Sequence, residues 1–257
     1  MPQDPPPLAA IILAAGQGKR MNSPLAKVLH PLAGRPLVHH VVASARRAGA
    51  GPIAIVVGHQ AEAVRASFGG DEADLVFVHQ AERLGTGHAT SVGLSALENQ
   101  SGDVLVLCGD VPLLRPETLG ELIRRHRSAA AAVTVLTAIM GDPSGYGRVL
   151  RERGARGRVA AIVEDADATE TERAIPEINS GTYIFALDFL ARAILRLQAE
   201  NRQGEYYLTD VVAMAAAENR PAEAFPAPIP EEVSGINNPA DLSRAEAYFA
   251  AREMEGP

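Results

Sequence analysis

Between Ala14 and Met21 the chain reads Ala-Ala-Gly-Gln-Gly-Lys-Arg-Met, and Lys27 follows shortly after. Small residues let backbone N–H groups approach an oxyanion closely, and Arg20 and Lys27 add the positive charge that a phosphate attracts. Two common phosphate-binding patterns fail on spacing. A P-loop needs Ser or Thr after Gly-Lys and a glycine five positions earlier; here Arg20 and Leu13 stand there. A dinucleotide fingerprint needs a third glycine and a later acid; Met21 replaces the glycine, and no acid occurs before Glu62. A phosphate cradle of another type remains, against the alternative of a glycine turn with no ligand.

The charge pattern supports the cradle. From Pro5 to Ala61 there is no Asp or Glu, while Lys19, Arg20, Lys27, Arg35, Arg46 and Arg47 give a net +6. The whole chain carries −7, so the remainder holds −13. A basic stretch inside an acidic protein marks an anion site, and the net charge argues against nucleic acid as a partner. Both lysines of the chain, Lys19 and Lys27, fall in this one loop.

Other chemistries find little support. The lone cysteine, Cys108, excludes a disulfide framework and a Cys-based zinc site, and reads as a small apolar residue ending a buried strand. The seven histidines form no His-x-x-x-His pair; His39 and His40 read as structural. No apolar run reaches the ~18 residues of a membrane span. Residues 1–7, rich in proline, read as a mobile arm without the pattern of a secretory signal, so a cytoplasmic location is expected.

The elements that must position these residues follow from periodicity. A chain of 257 residues, 47% hydrophobic, suits one large α/β domain over 8–257. Apolar runs at 8–13, 53–57, 75–78 and 104–108 read as buried strands. Between and after them, 36–48, 61–68, 86–97 and 116–126 read as helices, with Pro36 at the first helical position and Thr86 as an N-cap. This alternation predicts a Rossmann-like, doubly wound α/β sheet, parallel in residues 8–128. Strands at 131–138, 148–151, 159–163 and 182–185 make the sheet mixed across 129–238. Helices are expected at 187–197, 208–217 and 239–252, the last within a closing segment 239–254. Residues 221–230, with four prolines, read as an extended connector.

Leu13–Met21 with Lys27-Val-Leu-His30 resembles the signature of nucleotidyltransferases that activate sugar phosphates. Further segments sharpen the resemblance: Gln80–Ala89, Gly109–Leu113, Gly145–Arg148, Ile162–Glu164, Glu177–Gly181, Gln203–Asp210 and Gly235–Asn238. In this order they look like the uridylyltransferase domain of the bacterial bifunctional GlmU family, over about 8–248. The resemblance implies a nucleotide-diphospho-sugar transferase (GT-A-like) fold. It also implies transfer of UMP from UTP to N-acetylglucosamine 1-phosphate, giving UDP-N-acetylglucosamine, a cell-envelope precursor, and pyrophosphate.

The same resemblance assigns roles. Arg20 and Lys27 would act on the phosphates. Leu13, Ala14, Ala15, Gly16 and Gly109 would hold the nucleotide, and Gln80, Gly85 and Thr86 would read the uracil. Gly147, Glu164 and Asn179 would hold the sugar, with Tyr206 and Thr209 as further candidates. Asp110, just past a central strand, and Asn237 would bind Mg2+, which keeps most of its coordination for phosphate and water. Alone, Asp110 reads equally as a turn residue and Asn237 as an N-cap.

Departures are few. Ala26 stands where the family usually has proline, which predicts a more mobile loop; Ser180 replaces threonine, and Lys19 a small hydroxyl residue. The family's left-handed β-helix, which performs acetyl transfer and builds a trimer, has no counterpart in this sequence, so neither property is expected and the oligomeric state stays open. Two alternatives remain: the same chemistry on another sugar phosphate or nucleotide, and a nucleotide-sugar-sensing module without catalysis.

Overall fold

The computed structural model describes residues 5–69, 72–152 and 158–255. Residues 1–4 of the expected arm, and residues 256–257 of the expected domain, lie outside this range. Pro6 and Pro7 are tied down: their carbonyls accept hydrogen bonds from Arg127 Nη2 at 2.7 Å and the Asp103 N–H at 2.9 Å.

The described residues form eleven strands and eight α-helices, in order β1 (Leu8–Ala14), β2 (Pro31–Leu32), β3 (Arg35–Pro36), α1 (Leu37–Arg47), β4 (Ile53–Val57), α2 (Ala61–Ser67), β5 (Leu75–His79), α3 (Thr86–Leu94), β6 (Asp103–Cys108), α4 (Pro116–Ser128), β7 (Val133–Ile139), β8 (Arg148–Arg151), β9 (Val159–Val163), α5 (Glu170–Arg173), β10 (Glu177–Ala186), α6 (Leu187–Ala193), α7 (Asp210–Ala217), β11 (Ala222–Pro226) and α8 (Pro239–Glu255). The main sheet runs β11-β7-β10-β6-β1-β4-β5. Its β6-β1-β4-β5 block is parallel, whereas β10 lies antiparallel to both β6 and β7. The expected mixed, doubly wound sheet is therefore present.

Period-two burial explains the two layers. From β1, Ala10 and Ile12 pack with Val38, Val41 and Val42 of α1 and Leu119 and Leu122 of α4. Ala9 and Ile11 face the opposite layer with Ala89 of α3, Leu190 of α6 and Val211 of α7. Because every parallel strand points the same way, the loops after Ala14, Val57, His79 and Cys108 gather at one edge of the sheet. The first residues of the reversed β10, including Asn179, reach that same edge.

Four readings need correction. Residues 222–226 are not a connector: β11 pairs parallel with β7, and the prolines fit because it is an edge strand. Pro36 is the N-cap residue of α1, not its first helical residue, and closes the small β2–β3 hairpin. Gly85 precedes α3, so Thr86 is its first residue and not its cap. Finally, β10 begins five residues before the expected Thr182. It carries a bulge between Asn179 and Thr182 that hid its polar first half.

Candidate active site

The glycine loop leaves β1 and turns back under its own lysine. Gly18 has φ +67°, and a Cβ there would lie 2.6 Å from the Lys27 Cβ, so glycine is required by conformation and by space. Ala26 is fully buried, and its N–H donates to Gln60 Oε1 at 2.7 Å. Proline has no N–H to give, so the Gln60 bond does here the fixing that the proline ring does elsewhere.

Lys27 then reaches across the sheet edge. Its ammonium donates to Asp110 Oδ2 and, at 3.2 Å, to Asn237 Oδ1. Arg20 Nη2 donates to the same Asn237 oxygen at 3.1 Å. Four residues from three distant parts of the sequence thus form one cluster. Asp110 is placed by β6 and by its own carbonyl, which accepts the Ile236 N–H at 2.9 Å. Asn237 is placed by its backbone N–H, which donates to Asp241 Oδ2 at 2.8 Å. The N-terminal turn of α8 is instead served by Asn238, whose Oδ1 accepts the Asp241 N–H at 2.9 Å. Asn237 Oδ1 is free of the capping role and faces cations.

The oxygens of Asp110 and Asn237 already hold a positive group, the Lys27 ammonium, which shows that the pair suits a cation. Among the described residues no three His, Cys, Asp or Glu side chains converge as a metal cage. A hard cation here would take few protein oxygens and leave room for phosphate. A cavity of about 460 Å3 opens beside the cluster between Arg20, Met140, Tyr146, Gly235, Asn237 and Tyr248. Lys19 is exposed.

The remaining candidates fall into two groups at the same edge. Leu13 and Gly109 are joined by a hydrogen bond from the Gly109 N–H to the Leu13 carbonyl at 2.9 Å, and the Ala14 Cβ would lie 3.3 Å from a Cβ on Gly109. Ala15 packs against Gly58, where a Cβ would come within 2.9 Å, and open space surrounds Gly16. Gln80 is buried beyond β5, its N–H donating to the Val57 carbonyl at 2.8 Å. Gly85 has φ +104°, with the Tyr206 carbonyl 2.6 Å from where its Cβ would be. Thr86 Oγ1 accepts the Leu208 N–H at 3.1 Å, pinning α3 to the segment before α7. Tyr206 acts through its backbone, which holds Leu84 and Gly87.

Gly147, Glu164 and Asn179 come from three chain segments and meet at one point. A Cβ on Gly147 would lie 3.3 Å from Glu164 Oε2 and 3.5 Å from the Asn179 Cβ. The Asn179 N–H donates to the Gly147 carbonyl at 2.8 Å, and its Oδ1 accepts the Gly181 N–H inside the bulge. Thr209 Oγ1 donates to Glu164 Oε1 at 3.0 Å, so this hydroxyl belongs to the cluster and does not cap α7. Burial raises the Glu164 pKa, and the nearby Asp210, Asp167 and Glu205 charges add to the rise against the Thr209 bond. Ser180 stabilises the bulge, donating to the Leu136 carbonyl at 2.6 Å.

Cys108 lies between the two clusters. Burial, then the charge of Asp110, push its thiol up to about 12, which makes it inert as a nucleophile. His39 stacks on Phe68 and His40 bonds the Leu32 carbonyl, both structural as expected. The sequence reading missed Gln60, His88 and Asp241, which hold Ala26, Gln80 and Asn237. Asp241 alone had a signal, an acid in the first turn of a helix. Among the described residues no helix is long and apolar enough to cross a membrane.

Comparison with known proteins agrees with this architecture. The chain is 52% identical over 244 residues to the bifunctional protein GlmU of Trichlorobacter lovleyi, covering 95% of this chain and 52% of that protein. It is 50% identical over 248 residues to the GlmU of Geobacter sulfurreducens, with 96% and 52% covered. The chain therefore spans about half the length of the curated relatives it matches. The structure of a UDP-glucose pyrophosphorylase complexed with UDP-glucose shares the fold, with a TM-score of 0.77 at 18% identity over 96% of this chain and 99% of that one. Residues 10–175 match the model of the MobA-like NTP transferase domain, and the chain belongs to that family.

Proposed function

We propose that this chain transfers UMP from UTP to N-acetylglucosamine 1-phosphate, forming UDP-N-acetylglucosamine and pyrophosphate. The observation that carries this reading is the convergence of Arg20, Lys27, Asp110 and Asn237 beside the Gly147–Glu164–Asn179 cluster. A phosphate-binding group and a hydroxyl-binding group share one sheet edge, as joining a nucleotide to a sugar phosphate requires. The relatives named GlmU support the choice of substrates.

The sugar phosphate oxygen forms a bond to the α-phosphorus of UTP, the bond to the bridging oxygen breaks, and pyrophosphate leaves with the electron pair. No covalent enzyme intermediate is needed, so catalysis is alignment and charge neutralisation. Arg20 and Lys27 bind the phosphates and offset the repulsion between two polyanions. Asp110 and Asn237 would hold Mg2+, which when bound adds positive charge at the reacting phosphate. Ala14, Ala15 and Gly16 let the backbone approach the nucleotide, and Gln80, Gly85 and Thr86 surround its base. Glu164 and Asn179 accept and donate hydrogen bonds to sugar hydroxyl and acetamido groups, with Gly147 leaving room for the ring. This chemistry draws on cytoplasmic nucleotide pools.

Pyrophosphate release from a panel of nucleoside triphosphates and sugar 1-phosphates tests the reading. UTP with N-acetylglucosamine 1-phosphate should be the preferred pair. Equal turnover of glucose 1-phosphate would transfer the function to another sugar, and nucleotide binding without turnover of any sugar would leave a sensing module.

A further inference from the structure

The Gln80 side-chain amide is held by a side chain outside the assigned site. Its Nε2 lies 3.0 Å from His88 Nδ1, in the first turn of α3. With the amide nitrogen assigned to this contact Gln80 donates and Nδ1 accepts, the arrangement of a His88 tautomer protonated on Nε2. The turn carrying His88 is itself fixed. The Gly87 N–H donates to the Tyr206 carbonyl at 2.7 Å, and the Tyr206 N–H donates to the Leu84 carbonyl at 2.7 Å. Among the described residues no protein group donates to Gln80 Oε1, and this oxygen is not sealed from solvent.

A glutamine amide presents an acceptor and a donor side by side, and turning it over exchanges them. Uracil offers N3–H and a C4 carbonyl, which matches an amide with Oε1 toward N3 and an N–H toward the carbonyl. Cytosine offers the reverse, a bare N3 and a C4 amino group, which matches the amide only when it is turned over. The two orientations of one side chain therefore read the two pyrimidines, and an Nδ1 acceptor beside the amide favours the uracil-reading one. We propose that His88 is a positioning residue that locks the Gln80 amide in its uracil-reading orientation and so sets the choice of uridine over cytidine nucleotides. This rests on the reading above in which Gln80 faces the base.

The test is calorimetric binding of UTP and CTP to the full chain with Mg2+ and without sugar phosphate. His88→Phe keeps a ring but removes the acceptor; His88→Asn keeps an acceptor near the Nδ1 position. The wild type should prefer UTP. His88→Phe should lower the UTP-to-CTP affinity ratio about tenfold, the worth of one such hydrogen bond, and His88→Asn should restore most of it. Should His88→Phe not fold, as judged by thermal unfolding, His88→Ala carries the same expectation. A wild-type ratio in the Phe or Ala variant, or an equal loss in the Asn variant, would overturn the role of His88 alone. Equal affinity of the wild type for CTP and UTP would overturn the uridylyltransferase reading and this inference with it.

Discussion

The Lys27 ammonium lies 3.2 Å from the Asn237 side-chain oxygen, although 210 positions separate the two residues. Asp110 accepts from the same ammonium, so the basic N-terminal loop and the segment before α8 close on one another at the carboxyl edge of the sheet. Each partner satisfies a charge or dipole that would be costly to leave alone in a half-buried position.

Lys27→Ala should lower kcat/KM by ~10²–10³-fold, the scale of removing one charged group aimed at a reacting phosphate. Steady-state pyrophosphate release measures it. An undiminished kcat/KM would place Lys27 outside the phosphate site.

Gly18→Ala should both destabilise the protein, by ~1–2 kcal/mol for an alanine forced to positive φ, and displace Lys27. Thermal unfolding and turnover read the two effects separately. An active variant of wild-type stability would show that the loop adapts.

Asn179→Ala should raise KM for the sugar phosphate while leaving KM for UTP near its wild-type value. Its Oδ1 accepts the Gly181 N–H and its Cβ borders the Gly147 corner beside Glu164, the cluster proposed to hold the sugar. Equal changes in both constants would remove it from the sugar pocket.

Glu164 carries a pH signature. Burial raises its folded pKa above the unfolded value, so between the two the folded state binds more protons. Stability then falls as pH rises from the ordinary glutamate range through the raised value. Glu164→Gln should melt higher than the wild type at pH 7, and the difference should vanish near pH 4, while sugar binding is lost at both. A variant that melts lower than the wild type at pH 7 would mean that the ionised carboxylate is well paired.

Much of this arrangement was legible in residues 8–126, because strands buried on both faces read as unbroken apolar runs and the phosphate loop follows the first of them. The resemblance named Arg20, Lys27, Asp110 and Asn237, and Gly147, Glu164 and Asn179, which the structure places in two clusters. Other features were hidden for physical reasons. β11 lies between Pro221 and Pro226, and only its pairing with β7 makes it a strand. The first half of β10 is polar, and Glu177 and Ser180 there bond Thr137 and the Leu136 carbonyl of the neighbouring β7. Thr86 looked like a cap because a hydroxyl before a helix usually is one; here its oxygen serves Leu208. Gln60, His88 and Asp241 touch the site only through other residues, and no spacing in a sequence reports such a contact.

Binding of Mn2+ followed by electron paramagnetic resonance, with UTP present, tests most directly whether Asp110 and Asn237 serve one cation. Asp110→Ala and Asn237→Ala should each weaken Mn2+ binding beyond what UTP alone retains, with the folded structure kept. Tight binding undiminished in either variant would contradict a shared site.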